Sequence, residues 1–216
     1  MALTIEITSD FICPWCLIAH HHLQQAIEQL EQLADQPIDI RWHPFELNPD
    51  MPEAGLDRRL YRSTKFGSWE YSQQLDAKTV EAGRANGIEF RYTLMEKTPN
   101  TLKAHRLTGL AAKSGKATEM AERILQAYFT EGRDIGDVAT LSALAADVGL
   151  DAERSRDFLL SDQGITETRA LKRQALAQGV QSVPTIRIGT AVLVGGQPVE
   201  VFLAALQSAR QETIKL

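Results

Sequence analysis

The chain is poor in the features that would place it in several large protein classes. It carries only two cysteines in 216 residues, too few for a disulfide scaffold, so their value must be local. No stretch approaches the roughly 18 consecutive apolar residues of a membrane span. Basic residues are not in excess: Lys and Arg number 23 against 28 Asp and Glu, a net charge of −5 with a pI near 5.6. That balance argues against a general nucleic-acid or anionic-membrane surface. The N-terminus has neither a basic n-region nor an apolar h-region, so no secretory signal is visible and the expected compartment is the cytoplasm. Internal repeats, low-complexity tracts and flexible linkers are also missing. What is present, 44% hydrophobic and 24% charged residues, is ordinary globular composition for one large domain or two small ones.

Periodicity predicts the layout. Leu3, Ile5 and Ile7 alternate with Thr4, Glu6 and Thr8, a strand with one buried face. Leu23, Ile27, Leu30 and Ala34 follow at helical spacing, and Pro37 closes that helix. Ile38, Ile40 and Trp42 then alternate with Asp39, Arg41 and His43 as a second strand. Strand, helix and strand over so short a span form a βαβ unit with a parallel pair. Residues 53–178 read as mostly helical, with breaks at Asn86-Gly87, Thr98-Pro99-Asn100, Ser114-Gly115, Glu131-Gly132 and Gly149. The last helix of that block spans about 162–178, with Gly179 suited to end it. Two short strands around Gly189-Thr190 form a hairpin, and a final helix follows Pro198.

The two cysteines are neighbours, Cys13-Pro14-Trp15-Cys16, at the head of the first helix. Unpaired backbone N–H groups and the helix dipole stabilise an anion there, the setting a nucleophilic sulfur needs. Cys16, one turn inward, is close enough to close a disulfide with Cys13. Pro14 keeps the turn tight, and Trp15 shields the bond while offering an apolar face to a partner. A Cys13/Cys16/His20 zinc cluster competes with this reading, because His20 opens a His20-His21-His22 run one turn after Cys16. Against it stand the missing fourth ligand and the lack of ligand spacing at His43 and His105. Two inert buried thiols are the blandest reading.

A second, distant element agrees with the first. Ser182-Val183-Pro184-Thr185 places a proline at the start of a strand, where a thioredoxin-like fold holds a cis-proline facing its Cys-x-x-Cys. With Ser9-Asp10-Phe11-Ile12 before the thiols, Pro44-Phe45-Glu46-Leu47-Asn48-Pro49, Asn100-Thr101, Ala104-His105-Arg106, Ala127-Tyr128-Phe129 and Gly195-Gly196-Gln197-Pro198, the chain resembles the DsbA-like thioredoxin superfamily. Among its branches it is most similar to the cytosolic FrnE-type disulfide oxidoreductases.

The resemblance implies an α/β, thioredoxin-like fold (βαβ…ββα) with a large inserted α-helical domain. The thioredoxin-like domain would comprise 1–47 and 179–216, and the insert 48–178. It implies thiol–disulfide exchange through a mixed disulfide at Cys13, resolved by Cys16, with Pro184 as the cis-proline. Pro14, Trp15 and Val183 would face the substrate, Val183 through its backbone. Asn100 and His105 would line the groove near the thiols; the competing reading makes Asn100 a helix cap and His105 a partly buried helix residue. Trp42 and Phe45 are read as core, and Glu6 as facing the polar side of its strand. No bound cofactor or metal is implied, although glutathione could serve as a co-substrate; the partners would be protein or small-molecule thiols and disulfides, with no nucleic acid and no membrane. Family members often carry Gly where Ser182 stands, and periplasmic relatives have His where Trp15 stands; the Trp15 departure weakens any expectation of a strong oxidant.

Two rivals follow. A glutathione-dependent isomerase or transferase of the 2-hydroxychromene-2-carboxylate isomerase or kappa type shares this architecture, but such enzymes typically carry Ser at the nucleophile and lack the second cysteine. A zinc-holding or protein-binding module without turnover is the non-enzymatic alternative. The chain is read as a monomer or homodimer.

Overall fold

The alternation at the N-terminus calls for a strand beside one long helix, and the computed structural model, which describes residues 2–31 and 37–214, contains that pair. Strand β1 (Leu3–Ser9) leads to helix α1 (Pro14–Glu31) and then to β2 (Ile38–Pro44), parallel to β1 from Leu3↔Ile38 to Ser9↔Pro44. Ala34, assigned by spacing to this helix, lies outside the described residues. At the other end of the chain, β5 (Thr185–Ile188) pairs antiparallel with β1, and β6 (Ala191–Val194) with β5. The sheet order is therefore β2-β1-β5-β6, with the final helix α9 (Val199–Ile214) packed against α1. Leu3, Ile5 and Ile7 point to the same face and meet Leu23, Ile27, Leu30, Ile186, Ile188, Phe202 and Leu206 in one apolar core. Burying each large side chain there contributes roughly 2–3 kcal/mol.

Between β2 and β5 the chain builds a helical insert. A two-residue strand β3 (Leu56–Asp57) pairs with β4 (Lys97–Thr98) and frames α2 (Arg58–Phe66), α3 (Trp69–Arg84) and a 3-10 turn at Tyr92–Leu94. Then come α4 (Leu102–Ala112), α5 (Ala117–Phe129), α6 (Val138–Asp147), α7 (Ala152–Leu160) and α8 (Ile165–Ala177). The breaks expected from sequence all separate elements, and Gly67-Ser68 adds another between α2 and α3. Helix α8 starts at Ile165 and not near Asp162, because Gly164 takes a left-handed φ of 79° that a helix cannot contain.

The insert has a second core, in which Leu107, Met120, Ile124, Leu125, Phe129, Leu141 and Leu144 are completely or almost completely buried. Phe11, Leu17 and Ile18, from the β1–α1 junction, belong to this core, whereas Ala19 and Leu23 on the same helix belong to the sheet-side core. The head of α1 is thus wedged where the two cores meet.

Short helices end often, and their ends need partners. Asp57, Ser68, Asp137 and Asp151 each accept the N–H three residues on, at the starts of α2, α3, α6 and α7. Arg106 of α4 does the reverse at the far end of α7. Its buried guanidinium donates to the carbonyls of Phe158 at 2.7 Å and Leu159 at 3.2 Å, and to those of Ser161 and Gln163.

Candidate active site

β1 ends at Ser9, and the next residues turn the chain into α1. The Cys13 N–H donates to the Asp10 carbonyl at 3.1 Å, and the Cys16 N–H to the Cys13 carbonyl at 3.0 Å. Cys13 therefore sits immediately before the helix, with Pro14 as its first residue, where the missing N–H costs nothing. Both thiols are free and buried, Cys13 6% and Cys16 3% exposed. The Val183-Pro184 peptide is cis, and the Cys13 thiol donates to the Val183 carbonyl at 3.6 Å, across 170 residues of sequence. Pro184 itself is buried, and its carbonyl accepts the Gly195 N–H at 2.8 Å, which locks the start of β5 to the end of β6.

The two sulfurs differ in surroundings. Burial pushes the Cys16 thiol well above the ordinary cysteine range, and the adjacent Cys13 adds to the rise through a hydrogen bond and its charge. The Ser9 hydroxyl and a backbone hydrogen bond from Asp10 oppose it. Cys16 is thus held as a thiol until something draws its proton away.

Trp15 is the exposed member of the motif, at 39%. Its indole lies against Gly196, where an added Cβ would come within 2.9 Å of Trp15 Cε3. Glycine there lets the 195–198 loop close over the indole. The loop is pinned from α1, since the His22 ring nitrogen Nδ1 donates to the Gln197 carbonyl at 2.7 Å. Trp15, half-buried Pro14 and half-buried Val183 form the solvent-facing rim beside Cys13.

The other residues singled out from sequence are engaged internally. Asn100 donates to the Met51 carbonyl at 2.7 Å and accepts the Leu102 N–H at 2.9 Å, at the entry to α4. His105 is 7% exposed, packs on Phe11 with ring centroids 4.7 Å apart, and bonds the Phe45 carbonyl at 2.9 Å through Nε2. His20 is buried against Trp42, with Nε2 3.9 Å from Glu122 Oε2. Among the described residues no group of three or more His, Cys, Asp or Glu is placed to hold a metal ion. Glu6 faces His43 at 3.6 Å across β1 and β2. Trp42 is half-buried, its indole N–H donating to Thr118 at 3.1 Å, and it packs against both cores. A cavity of about 900 Å³ opens along β2 between α4, α5 and α8. It reaches Ser9, Phe11 and His105 but neither cysteine.

Sequence reasoning assigned no role to Asp10. It is completely buried, its Oδ2 accepts the Leu47 N–H at 2.7 Å, and its Oδ1 lies 3.4 Å from His105 Nε2. The one available signal was an acidic residue three positions before Cys13, followed at once by the apolar Phe11 and Ile12.

With this geometry in place, similarity to known proteins becomes informative. A family profile described as the DSBA-like thioredoxin domain matches residues 4–207. The uncharacterized protein YwbO of Bacillus subtilis (strain 168) is 29% identical over 220 residues, covering 98% of this chain and all of that protein. The crystal structure of a probable DsbA oxidoreductase, SCO1869 from Streptomyces coelicolor, superposes with a TM-score of 0.86 at 27% identity, covering 97% of this chain and 91% of that one. Two others share the fold at lower identity. The cytosolic disulfide reductase DsbM from Pseudomonas aeruginosa with GSH gives a TM-score of 0.65 at 18% identity, covering 99% and 100% of the two chains. A 2-hydroxychromene-2-carboxylate isomerase gives 0.74 at 13%, covering 98% of each. The profile spans β1 to α9, thiols and insert included, and the chain belongs to the DsbA-like thioredoxin family.

Proposed function

We propose that this protein is a thiol–disulfide oxidoreductase in which Cys13 is the nucleophile and Cys16 the resolving thiol. The observation that carries the reading is the pair of free thiols at the head of α1, with Cys13 Sγ 3.6 Å from the Val183 carbonyl and the apolar rim of Trp15 beside it. The Cys13 thiolate attacks a substrate disulfide; one substrate sulfur becomes bonded to Cys13, and the other leaves as a thiolate that takes up a proton. Cys16 then gives up its proton and attacks Cys13 Sγ. The Cys13–substrate bond breaks as Cys13–Cys16 forms, and the second substrate sulfur departs and is protonated. The substrate disulfide is reduced by two electrons and the dithiol is oxidised by two; the reverse sequence oxidises a dithiol substrate.

In this reading the thioredoxin-like part, 1–47 and 179–216, carries the chemistry, and the helical part, 48–178, walls the site. Pro184 shapes the surface opposite Cys13, and Pro14, Trp15 and Val183 meet the substrate. Asn100 and His105 support the wall from inside, since both side chains bond to internal carbonyls. The dithiol itself carries the electrons, so no bound cofactor enters the scheme. Glutathione is the small thiol partner we assign, by analogy with the DsbM structure with GSH. The isomerase structure shares the fold alone, and a second thiol one turn from the first has no part in a mechanism that only binds glutathione.

The test is a titration through graded glutathione redox buffers, with thiols trapped by a mass-tagging alkylator and intact masses read. A single two-electron transition joining Cys13 and Cys16 is the expected result. A protein that never forms that disulfide, yet turns over an isomerase substrate only with glutathione present, overturns the proposal.

A further inference from the structure

The loop between β6 and α9, Gly195-Gly196-Gln197-Pro198, carries no reactive group, yet it touches both parts of the rim beside Cys13. The Gly195 N–H donates to the Pro184 carbonyl at 2.8 Å, so the loop holds the cis turn whose Val183 carbonyl faces the Cys13 thiol. One residue on, Gly196 lies against the Trp15 indole, and Ile18 Cγ2 is 3.7 Å from where a Cβ at 196 would stand. Two internal bonds give the loop its shape: the Gln197 N–H donates to the Gly195 carbonyl at 2.9 Å, and the Gln197 side-chain amide to the Val194 carbonyl at 2.6 Å. Neither bond fixes where the loop sits.

Its place is set from α1. Trp15, Ile18 and His22 are spaced i, i+3 and i+7, so one stripe of that helix faces the loop. Among the described residues, His22 is the one side chain from elsewhere in the chain that hydrogen-bonds residues 195–198. It is buried, and because the Gln197 carbonyl can only accept, Nδ1 carries the proton and donates it at 2.7 Å. That bond spans 175 positions of sequence and ties the helix that bears the dithiol to the loop that borders it. We infer that His22 is a positioning residue for substrate binding: it fixes the 195–198 loop and, through that loop, both the Trp15 indole and the Val183-Pro184 turn. Without the bond a substrate has to order this rim as it binds, and that ordering is a cost of association. The role rests on the exchange chemistry proposed above and adds to it the residue that holds the rim in shape. No proton or electron passes through His22.

The experiment reads two rates and one spectrum on each protein. Formation of the Cys13–glutathione adduct from glutathione disulfide needs the rim, whereas alkylation of Cys13 by iodoacetamide needs only the thiolate. The chain has three tryptophans, so fluorotryptophan labelling gives three fluorine resonances, and Trp15→Phe identifies that of Trp15. His22→Leu is expected to slow adduct formation roughly tenfold, the size of one hydrogen bond, and to change alkylation less than about twofold. It should also shift or broaden the Trp15 resonance and leave those of Trp42 and Trp69 in place. His22→Asn puts a side-chain N–H near the position of Nδ1 and is expected to bring adduct formation back to within about threefold of wild type. If His22→Leu does not fold, Gly196→Ala presses on the indole from the loop side, where the added Cβ would lie 2.9 Å from Trp15 Cε3. It should give the same selective slowing and the same moved resonance, and a Gly196→Ala protein that behaves as wild type then overturns the assignment. So does folded His22→Leu protein with wild-type adduct formation or an unmoved Trp15 resonance, alkylation slowed as much as exchange, or His22→Asn as slow as His22→Leu. A wild-type protein that alkylates at Cys13 but forms no adduct with glutathione disulfide overturns the exchange reading and this inference with it. Normal wild-type exchange with unaffected variants overturns this inference alone.

Discussion

The sheet-side core and the core of the insert are both closed to water, but they are held in different ways. Around the sheet, Leu3, Ile5, Ile7, Leu23, Ile186 and Phe202 meet as apolar surfaces, and the ladders of β1, β2, β5 and β6 satisfy the backbone. The insert has almost no sheet to do this. Its helices run from 9 residues in α2 to 16 in α3, so helix ends recur every few turns and bring orphan N–H and carbonyl groups with them. Polar and charged side chains answer that need. Arg58, 4% exposed, donates to Asp76 at 2.7 Å, Arg62 reaches the other oxygen at 2.7 Å, and Arg106 gathers the carbonyls that end α7. A continuous ladder permits an oily core, whereas a stack of short helices has to be pinned. The dithiol sits on the seam, and Asp10 brings the insert's style of pinning to the edge of the sheet.

The largest expected effect concerns chemistry and leaves both halves standing. Cys13→Ser should lower disulfide exchange by at least roughly a thousandfold, with Tm almost unchanged, because it removes the attacking sulfur and little volume. Cys16→Ser should instead accumulate the Cys13 mixed disulfide, detectable by intact mass. Equal loss with no trapped adduct would place the nucleophile elsewhere.

The next effects bear on how each half is held. Asp76→Asn strips the buried Arg58 of its charged partner and should cost about 3–5 kcal/mol in denaturant unfolding. Phe202→Ala, in the other core, should cost a similar amount, about 3–5 kcal/mol, through a cavity. The two should differ in what fails: the Asp76 variant should lose protection from amide exchange first in α2 and α3, and the Phe202 variant first in β5, β6 and α9. Simultaneous loss across both would show that the halves open as one. Arg106→Met should cost somewhat less, about 2–3 kcal/mol, since the freed carbonyls lie near a helix end that water can reach.

The sheet-side half was the more legible in sequence, for a physical reason. Strand alternation at Leu3, Ile5 and Ile7, the helix head at Pro14 and the hairpin at Gly189-Thr190 are local patterns, and each appears where the residues place it. The insert's breaks were legible too, because glycines and turn residues mark them. Its pins were not. Arg106 reaches carbonyls more than 50 positions away, and Asp10 is bound by a backbone N–H 37 positions on, so no periodicity reveals that either is buried. An acidic or basic residue in sequence reads as solvated by default, and only the packing of α4 against α7 and the β1–α1 junction reverses that.

The smallest expected effect tests the seam through pH. Burial, the largest cause of the raised Cys16 thiol, favours its protonated form in the folded protein, so the unfolded chain loses that proton at lower pH than the folded one. The sign follows: this contribution to stability is complete below the unfolded thiol's pKa, about 8.5, and is lost as pH rises from there toward the higher folded value. In Cys13→Ser, where burial of Cys16 remains, unfolding free energy should decline above about pH 8.5 relative to the double variant Cys13→Ser/Cys16→Ser. Parallel curves for the two proteins would mean that Cys16 meets water more freely than its 3% exposure implies.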